Sequence, residues 1–103
     1  MQREVLNYDV VIVGAGPSGL ATAIRLKQLA KNINLSIAVL DKGSSIGANI
    51  VSGCIMDPRG LAELIPSWRD LHLPITTSVN SEAMLFLTER NHYKLPLPRG
   101  WNN

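Results

Sequence analysis

The chain has 103 residues, 46% of them hydrophobic and 17% charged, with a net charge of +2, which bounds it to one small globular domain at most. So slim a positive balance, with no basic cluster, gives no argument for nucleic acid, and none is expected as a partner. The single cysteine, Cys54, rules out an internal disulfide framework or a cysteine-built cluster within these residues, and no apolar run approaches the about 20 residues that cross a bilayer.

Met1–Asn7 is polar and carries no export signal, so the chain is expected to be soluble or peripheral to a membrane. Tyr8 to Val13 (YDVVIV) is a short apolar run rich in β-branched residues, the pattern of a strand buried on both faces of a parallel sheet. Leu20 to Lys31 predicts a helix without an internal breaker. Leu20, Ala23, Ile24, Leu26, Leu29 and Ala30 face the sheet, and Thr22, Arg25, Gln28 and Lys31 face water. Lys31 lies at the negative end of the helix dipole. After a turn at 32–34, Leu35 to Leu40 (LSIAVL) predicts a second strand ending in Asp41. Residues 8–41 thus have the length of a βαβ unit, whose right-handed crossover makes the strands parallel neighbours.

Lys42 to Gly53 holds three glycines and three serines and predicts an extended loop packed close against another backbone. A short helix follows, with Asp57 as N-cap, Pro58 at its first position, Leu61, Leu64 and Ile65 on its buried side, and Pro66 closing it. Residues 67–82 read as irregular. Ala83 to Thr88 and Tyr93 to Leu95 predict a β-hairpin turning at 89–92, followed by a Pro/Gly-rich tail from Pro96. The fold class is therefore α/β, an incomplete Rossmann-like βαβ unit (8–41) followed by a Gly-rich loop, a short helix, a hairpin and a tail (42–103). A doubly wound sheet needs more parallel strands than these residues supply, so apolar faces are expected to be exposed.

The chemistry sits between the first strand and the helix. Gly14, Ala15, Gly16, Pro17, Ser18 and Gly19 spell G-x-G-x-x-G. Gly14 permits the tight turn, Gly16 lets backbone approach a pyrophosphate, and Gly19 lets the helix pack against the strand. The helix N-terminus offers unpaired N–H groups and positive potential to phosphates. Asp41, about 20 residues past the loop, suits the adenosine ribose hydroxyls, and its charge argues against a 2′-phosphate. A glycine motif alone is weak; the strand, helix, second strand and terminal acid together make it specific for a dinucleotide. They do not separate FAD from NAD.

The stretch YDVVIVGAGPSGLATAIRLKQLA resembles the N-terminal FAD-binding segment of flavoprotein oxidoreductases. VLDKGSSIGANIVSGCIMDPRGLAELIPSW resembles the next segment of the electron transfer flavoprotein–ubiquinone oxidoreductase family, with its acid-Lys-Gly, Gly-Ala, Ser-Gly and Asp-Pro pattern. FLTER, the LPLP run and Asn102-Asn103 extend that likeness along nearly the whole chain. The resemblance implies an FAD enzyme, also carrying a 4Fe–4S cluster, that takes electrons from electron transfer flavoprotein and passes them to ubiquinone at a membrane surface. It implies pyrophosphate contacts for Gly14, Gly16 and Gly19. Asp41 would hold the ribose, although the family commonly has Glu there. By its position after that acid Lys42 can approach adenosine, an exposed lysine being the plainer reading. The backbone around Gly47, Ala48, Ser52 and Gly53 would touch the cofactor. Family members are several times longer, and their cluster cysteines lie toward the C-terminus. These 103 residues are expected to position FAD without catalysing alone, and none is nominated as catalytic or as a metal ligand. The short polar N-terminus points to a bacterial protein at the cytoplasmic face of the inner membrane. FixC-like and geranylgeranyl-reductase-like flavoproteins share the early motifs, and a non-enzymatic remnant is the reading outside the enzyme class.

The other conspicuous side chains have plainer readings. Cys54 is expected to pack as a small hydrophobe, and Trp68 to anchor the short helix. His72 and His92 read as solvated turn or rim residues, and Arg90, Lys94 and Arg99 as a solvated face.

Overall fold

The computed structural model describes residues 2–51, 53–75 and 77–98. Contacts divide the chain into two units, Met1–His72 and Leu73–Asn103.

In the first unit, β1 (Val10–Val13), α1 (Pro17–Leu29) and β2 (Ile37–Leu40) form the expected βαβ arrangement. The strands pair in parallel, Val10 opposite Ile37 through Val13 opposite Leu40. Both start two residues later than the apolar runs do, because side chains replace the ladder there. The Asp9 N–H donates to Ser36 Oγ at 3.0 Å, and Asp9 Oδ2 accepts the Ser36 N–H at 2.9 Å and its hydroxyl at 3.1 Å. At the other end the Gly14 N–H donates to the Leu40 carbonyl at 2.6 Å, so pairing continues into the glycine loop.

β1 is not buried on both faces as its composition predicts. Val10 and Ile12 are half-buried, whereas Val11 is exposed and Val13 is 85% exposed. A single helix covers one face of a two-stranded sheet, and among the described residues nothing covers the other. Ala15, 4% exposed, is the only buried hydrophobic residue described.

α1 begins three residues before its expected start. Pro17 occupies the first turn, where its missing N–H costs nothing and its fixed φ is already helical. The helix ends at Leu29, where the Ala30 N–H bonds to the Leu26 carbonyl, leaving Lys31 beyond it. Lys27 is the basic residue of the last turn, and its ammonium donates to the Leu35 carbonyl. The expected faces also need correction. Ile24 and Leu29 are exposed, while Gln28 is half-buried and its Nε2 donates to the Leu64 carbonyl at 2.8 Å. Gln28 turns inward because it satisfies the C-terminal end of the next helix, α2 (Arg59–Leu64), whose last carbonyls lack helical partners.

The Gly-rich loop is wound rather than extended. The Ala48 N–H bonds to the Ser45 carbonyl and the Ile50 N–H to the Gly47 carbonyl, two successive turns, with Gly47 at φ +85°. Cys54 is exposed rather than packed, because its neighbours Val51, Ile55 and Met56 are exposed too and form no local core for it. α2 starts one residue after the expected Pro58, yet Asp57 Oδ1 accepts the Arg59 N–H at 3.0 Å, as a capping side chain does. Leu61, Leu64 and Ile65 are half-buried, as expected. A 3₁₀ turn at Trp68–Asp70 falls within the stretch read as irregular. There Trp68 is half-buried, and the Arg69 guanidinium lies 4.8 Å from its ring centroid.

The second unit is a hairpin of β3 (Met84–Leu87) and β4 (His92–Leu95), antiparallel, with Met84 opposite Leu95 and Leu87 opposite His92. Thr88 closes the turn. Its N–H and hydroxyl donate to the Asn91 carbonyl at 2.8 and 3.0 Å, and its Oγ1 accepts the Asn91 N–H at 3.0 Å. His92 therefore belongs to the strand and not to the turn. The readings placed on Ser52, Arg99 and Asn102-Asn103 lie outside the described residues.

Candidate functional site

The glycine loop joins the C-terminal end of β1 to the start of α1, and its three glycines have different surroundings. Gly14 has φ +104°, a left-handed conformation that side chains with a Cβ resist. Gly19 has no special φ, but a Cβ there would lie 1.9 Å from the Gly14 carbonyl oxygen and 3.4 Å from Ile12 Cγ2. Gly16 is different. Its φ of −80° suits any residue, and a Cβ on it would meet nothing within 4 Å. The space beside Gly16 is open, with room for another group to approach its backbone.

The helix end is open to such a molecule. No side chain caps α1 and no acidic residue lies in its first turn. The Leu20 N–H already bonds to the Gly16 carbonyl at 3.0 Å, which leaves the N–H groups of Ser18 and Gly19 without an i−4 helical partner. Ser18 is exposed, and its carbonyl accepts the Thr22 hydroxyl at 2.7 Å.

Asp41 stands directly after β2 and folds back over the loop. Its Oδ1 accepts the Ala15 N–H at 3.1 Å and its Oδ2 accepts the Gly43 N–H at 3.0 Å. The Ala15 N–H, then the Gly43 N–H, hold its carboxyl below the usual aspartate range, and the neighbouring Lys42 charge acts in the same direction. The side chain is therefore an anion at neutral pH, with a lone pair left on each oxygen for a further donor.

An open cleft of about 340 Å³ lies against Val13, Gly14, Leu40, Asp41 and Lys42, outside the carboxyl ends of both strands, where open α/β sheets place ligands. A second groove of about 390 Å³, along Ala21, Thr22, Arg25, Leu26 and Leu64, holds neither the glycine loop nor the acid. The structure thus brings Gly14, Ala15, Gly16, Pro17, Ser18, Gly19, Asp41 and Lys42 to one end of the sheet. Gly47 and Gly53, with φ +85° and +91°, and Ala48 are exposed on the following loop. None of the hydrogen bonds among the described residues ties them to the glycine loop. Ser52 lies outside the described residues.

Gly43 is the residue that sequence reasoning missed. A Cβ there would lie 3.0 Å from Asp41 Oδ2, 3.0 Å from the Ser45 carbonyl oxygen and 3.4 Å from Ala48 Cβ. Its signal was the glycine two places after the acid. Among the described residues no group of three or more His, Cys, Asp or Glu could hold a metal. His72 and His92 are both exposed.

Comparison with known proteins agrees with this geometry. Residues 12–68 match the family described as NAD(P)-binding Rossmann-like domain. The chain is 50% identical, over 98% of its length, to the mitochondrial electron transfer flavoprotein-ubiquinone oxidoreductase of Dictyostelium discoideum. It is 51% identical over 93% of its length to the mitochondrial protein of that name in Oryza sativa subsp. japonica, and 47% identical over 84% to the one in Pseudomonas aeruginosa. It spans 17% of the first two relatives and 16% of the third. With its parallel β1–β2 pair, intervening helix and glycine loop, the chain belongs to the NAD(P)-binding Rossmann-like domain family, and its homologues are electron transfer flavoprotein-ubiquinone oxidoreductases.

Proposed function

We propose that these residues hold the ADP half of FAD in an oxidoreductase that passes electrons from electron transfer flavoprotein to ubiquinone. The observation that carries the reading is the glycine loop at the uncapped end of α1, open beside Gly16, with the anionic Asp41 bonded to the Ala15 N–H in the middle of the loop. Gly14, Gly16 and Gly19 with the N–H groups of Ser18 and Gly19 would receive the pyrophosphate. Asp41 would accept the ribose hydroxyls, and its charge would repel a 2′-phosphate. The turn at Gly47 and Ala48 and the backbone of Ser52 and Gly53 would contact the cofactor, with Lys42 near the adenosine.

When bound, the flavin supplies the redox chemistry, and this chain's share is to bind and orient it. A 4Fe–4S cluster does not fit here: cysteine thiolates hold such clusters, and the chain has one cysteine. No described helix is long and apolar enough to cross a membrane. The reading includes peripheral association with a membrane that carries the quinone, the cytoplasmic face of a bacterial inner membrane, although the named relatives include mitochondrial proteins.

The test is to titrate ADP into the isotopically labelled chain and follow the backbone amides. ADP should shift Gly14 to Gly19 and Asp41 to Gly43, and the purified chain should be colourless and transfer no electrons from reduced electron transfer flavoprotein to a ubiquinone analogue. Undisturbed glycine-loop amides at saturating ADP would sink the site. Turnover, or a stoichiometric yellow complex, would overturn the claim that these residues act only in positioning.

A further inference from the structure

We infer that Asp41 and Gly43 form a positioning pair that fixes the shape of the glycine loop before any ligand arrives. As a statement about a cofactor loop this rests on the dinucleotide reading above; as a statement about the ligand-free fold it does not. A residue whose only task is to hold a ribose would present both oxygens to the cleft. Asp41 instead spends one lone pair of each oxygen on backbone: Oδ1 takes the Ala15 N–H across 26 positions of sequence, and Oδ2 takes the Gly43 N–H two residues on. Ala15 is the one buried hydrophobic residue described and stands between Gly14 and Gly16, so the first bond holds the middle of the loop. The second is an Asx turn, available to Asp or Asn and not to the longer Glu. Glycine eases that turn, because a Cβ at position 43 would lie 3.0 Å from both Asp41 Oδ2 and the Ser45 carbonyl oxygen and would press on the acceptor of its own N–H. The backbone N–H groups that would meet phosphates are therefore held at one end of a tie whose other end is the turn at 43–48.

Two substitutions remove one bond each. In Asp41→Asn the carbonyl oxygen can keep the Asx turn to Gly43, but the amide nitrogen then faces the Ala15 N–H and cannot accept it. In Asp41→Glu a carboxylate can still reach Ala15, but the Asx turn is lost. Amide hydrogen exchange in the ligand-free 103-residue chain reads both. Exchange at Ala15 should quicken about tenfold in Asp41→Asn with Gly43 unchanged, and at Gly43 about tenfold in Asp41→Glu with Ala15 unchanged. In both variants the amides of α1 should keep their wild-type rates. Unchanged rates at both positions, or equal acceleration of every amide, overturns the pair.

A second arm separates positioning from ribose recognition by using inorganic pyrophosphate, which has no ribose. Asp41→Asn should weaken pyrophosphate binding although it removes a repelling charge. Unchanged or tighter pyrophosphate binding, beside weakened ADP binding, leaves Asp41 a ribose ligand alone and overturns the positioning role. If neither ADP nor pyrophosphate binds the wild-type chain, the dinucleotide reading fails, and the exchange data still decide the tie.

Discussion

A Cβ on Gly19 would lie 1.9 Å from the carbonyl oxygen of Gly14, so the first turn of α1 and the end of β1 approach as closely as backbone allows. Gly14 cannot retreat, because its N–H is already bonded to the Leu40 carbonyl and its φ is +104°. Gly19→Ala should therefore cost stability of about 1–3 kcal/mol or more, the range of overpacked sites. The midpoint and slope of urea unfolding check this, and a wild-type midpoint would contradict it.

Gly16→Ala should behave in the opposite way. Alanine is a poorer N-cap than glycine, but it removes freedom from the unfolded chain, and no atom stands within 4 Å of its Cβ. Stability should stay within about 0.5 kcal/mol of wild type, while ADP affinity falls by about tenfold or more as the methyl group meets the pyrophosphate. Calorimetric titration beside urea unfolding reads the two effects separately.

Acid should loosen both ends of the β1–β2 pair. The Ser36 N–H, then the Ser36 hydroxyl, hold the Asp9 carboxyl below its ordinary 3.8, with Lys27 adding to them; Ala15 and Gly43 do the same for Asp41. For carboxyls depressed in the folded state, the stabilisation is fully present above the unfolded value and is lost as pH falls through the folded one. Urea midpoints should thus hold from neutrality down toward 3.8 on account of these two groups and drop below it. Asp9→Asn should lower the midpoint at pH 7 and make the acid decline shallower. An unaltered acid limb would show that Asp9 contributes nothing to it.

Cys54 should react as an open thiol. It is exposed, so the native chain should release one equivalent of thionitrobenzoate from Ellman's reagent, at a rate close to that of the urea-unfolded chain. A thiol that reacts only after unfolding would restore the packed reading.

The parts legible in the sequence were those that depend on local pattern. YDVVIV, the glycine motif and LSIAVL announce β1, the turn and β2 because strand propensity and glycine geometry act over a few residues. Asp41 was legible from its distance to the loop. What escaped depends on where a side chain travels after folding. Gln28 looks like a surface residue until α2 presents the Leu64 carbonyl to it. Gly43 looks like one of several loop glycines until Asp41 turns back over it. Cys54 looks apolar enough to bury, but its neighbours in the loop form no core. The late starts of β1 and β2 follow from Asp9 and Ser36 exchanging side-chain bonds, which propensity does not describe.

The bond from Asp41 to Ala15 joins residues 26 positions apart, and this sets an order on synthesis. The ribosome releases the glycine loop well before it releases residues 41 to 43, so a chain arrested anywhere short of β2 carries the whole G-x-G-x-x-G motif without the bond from Asp41 to Ala15. The tie between the two strand ends therefore closes late, over a motif already synthesised.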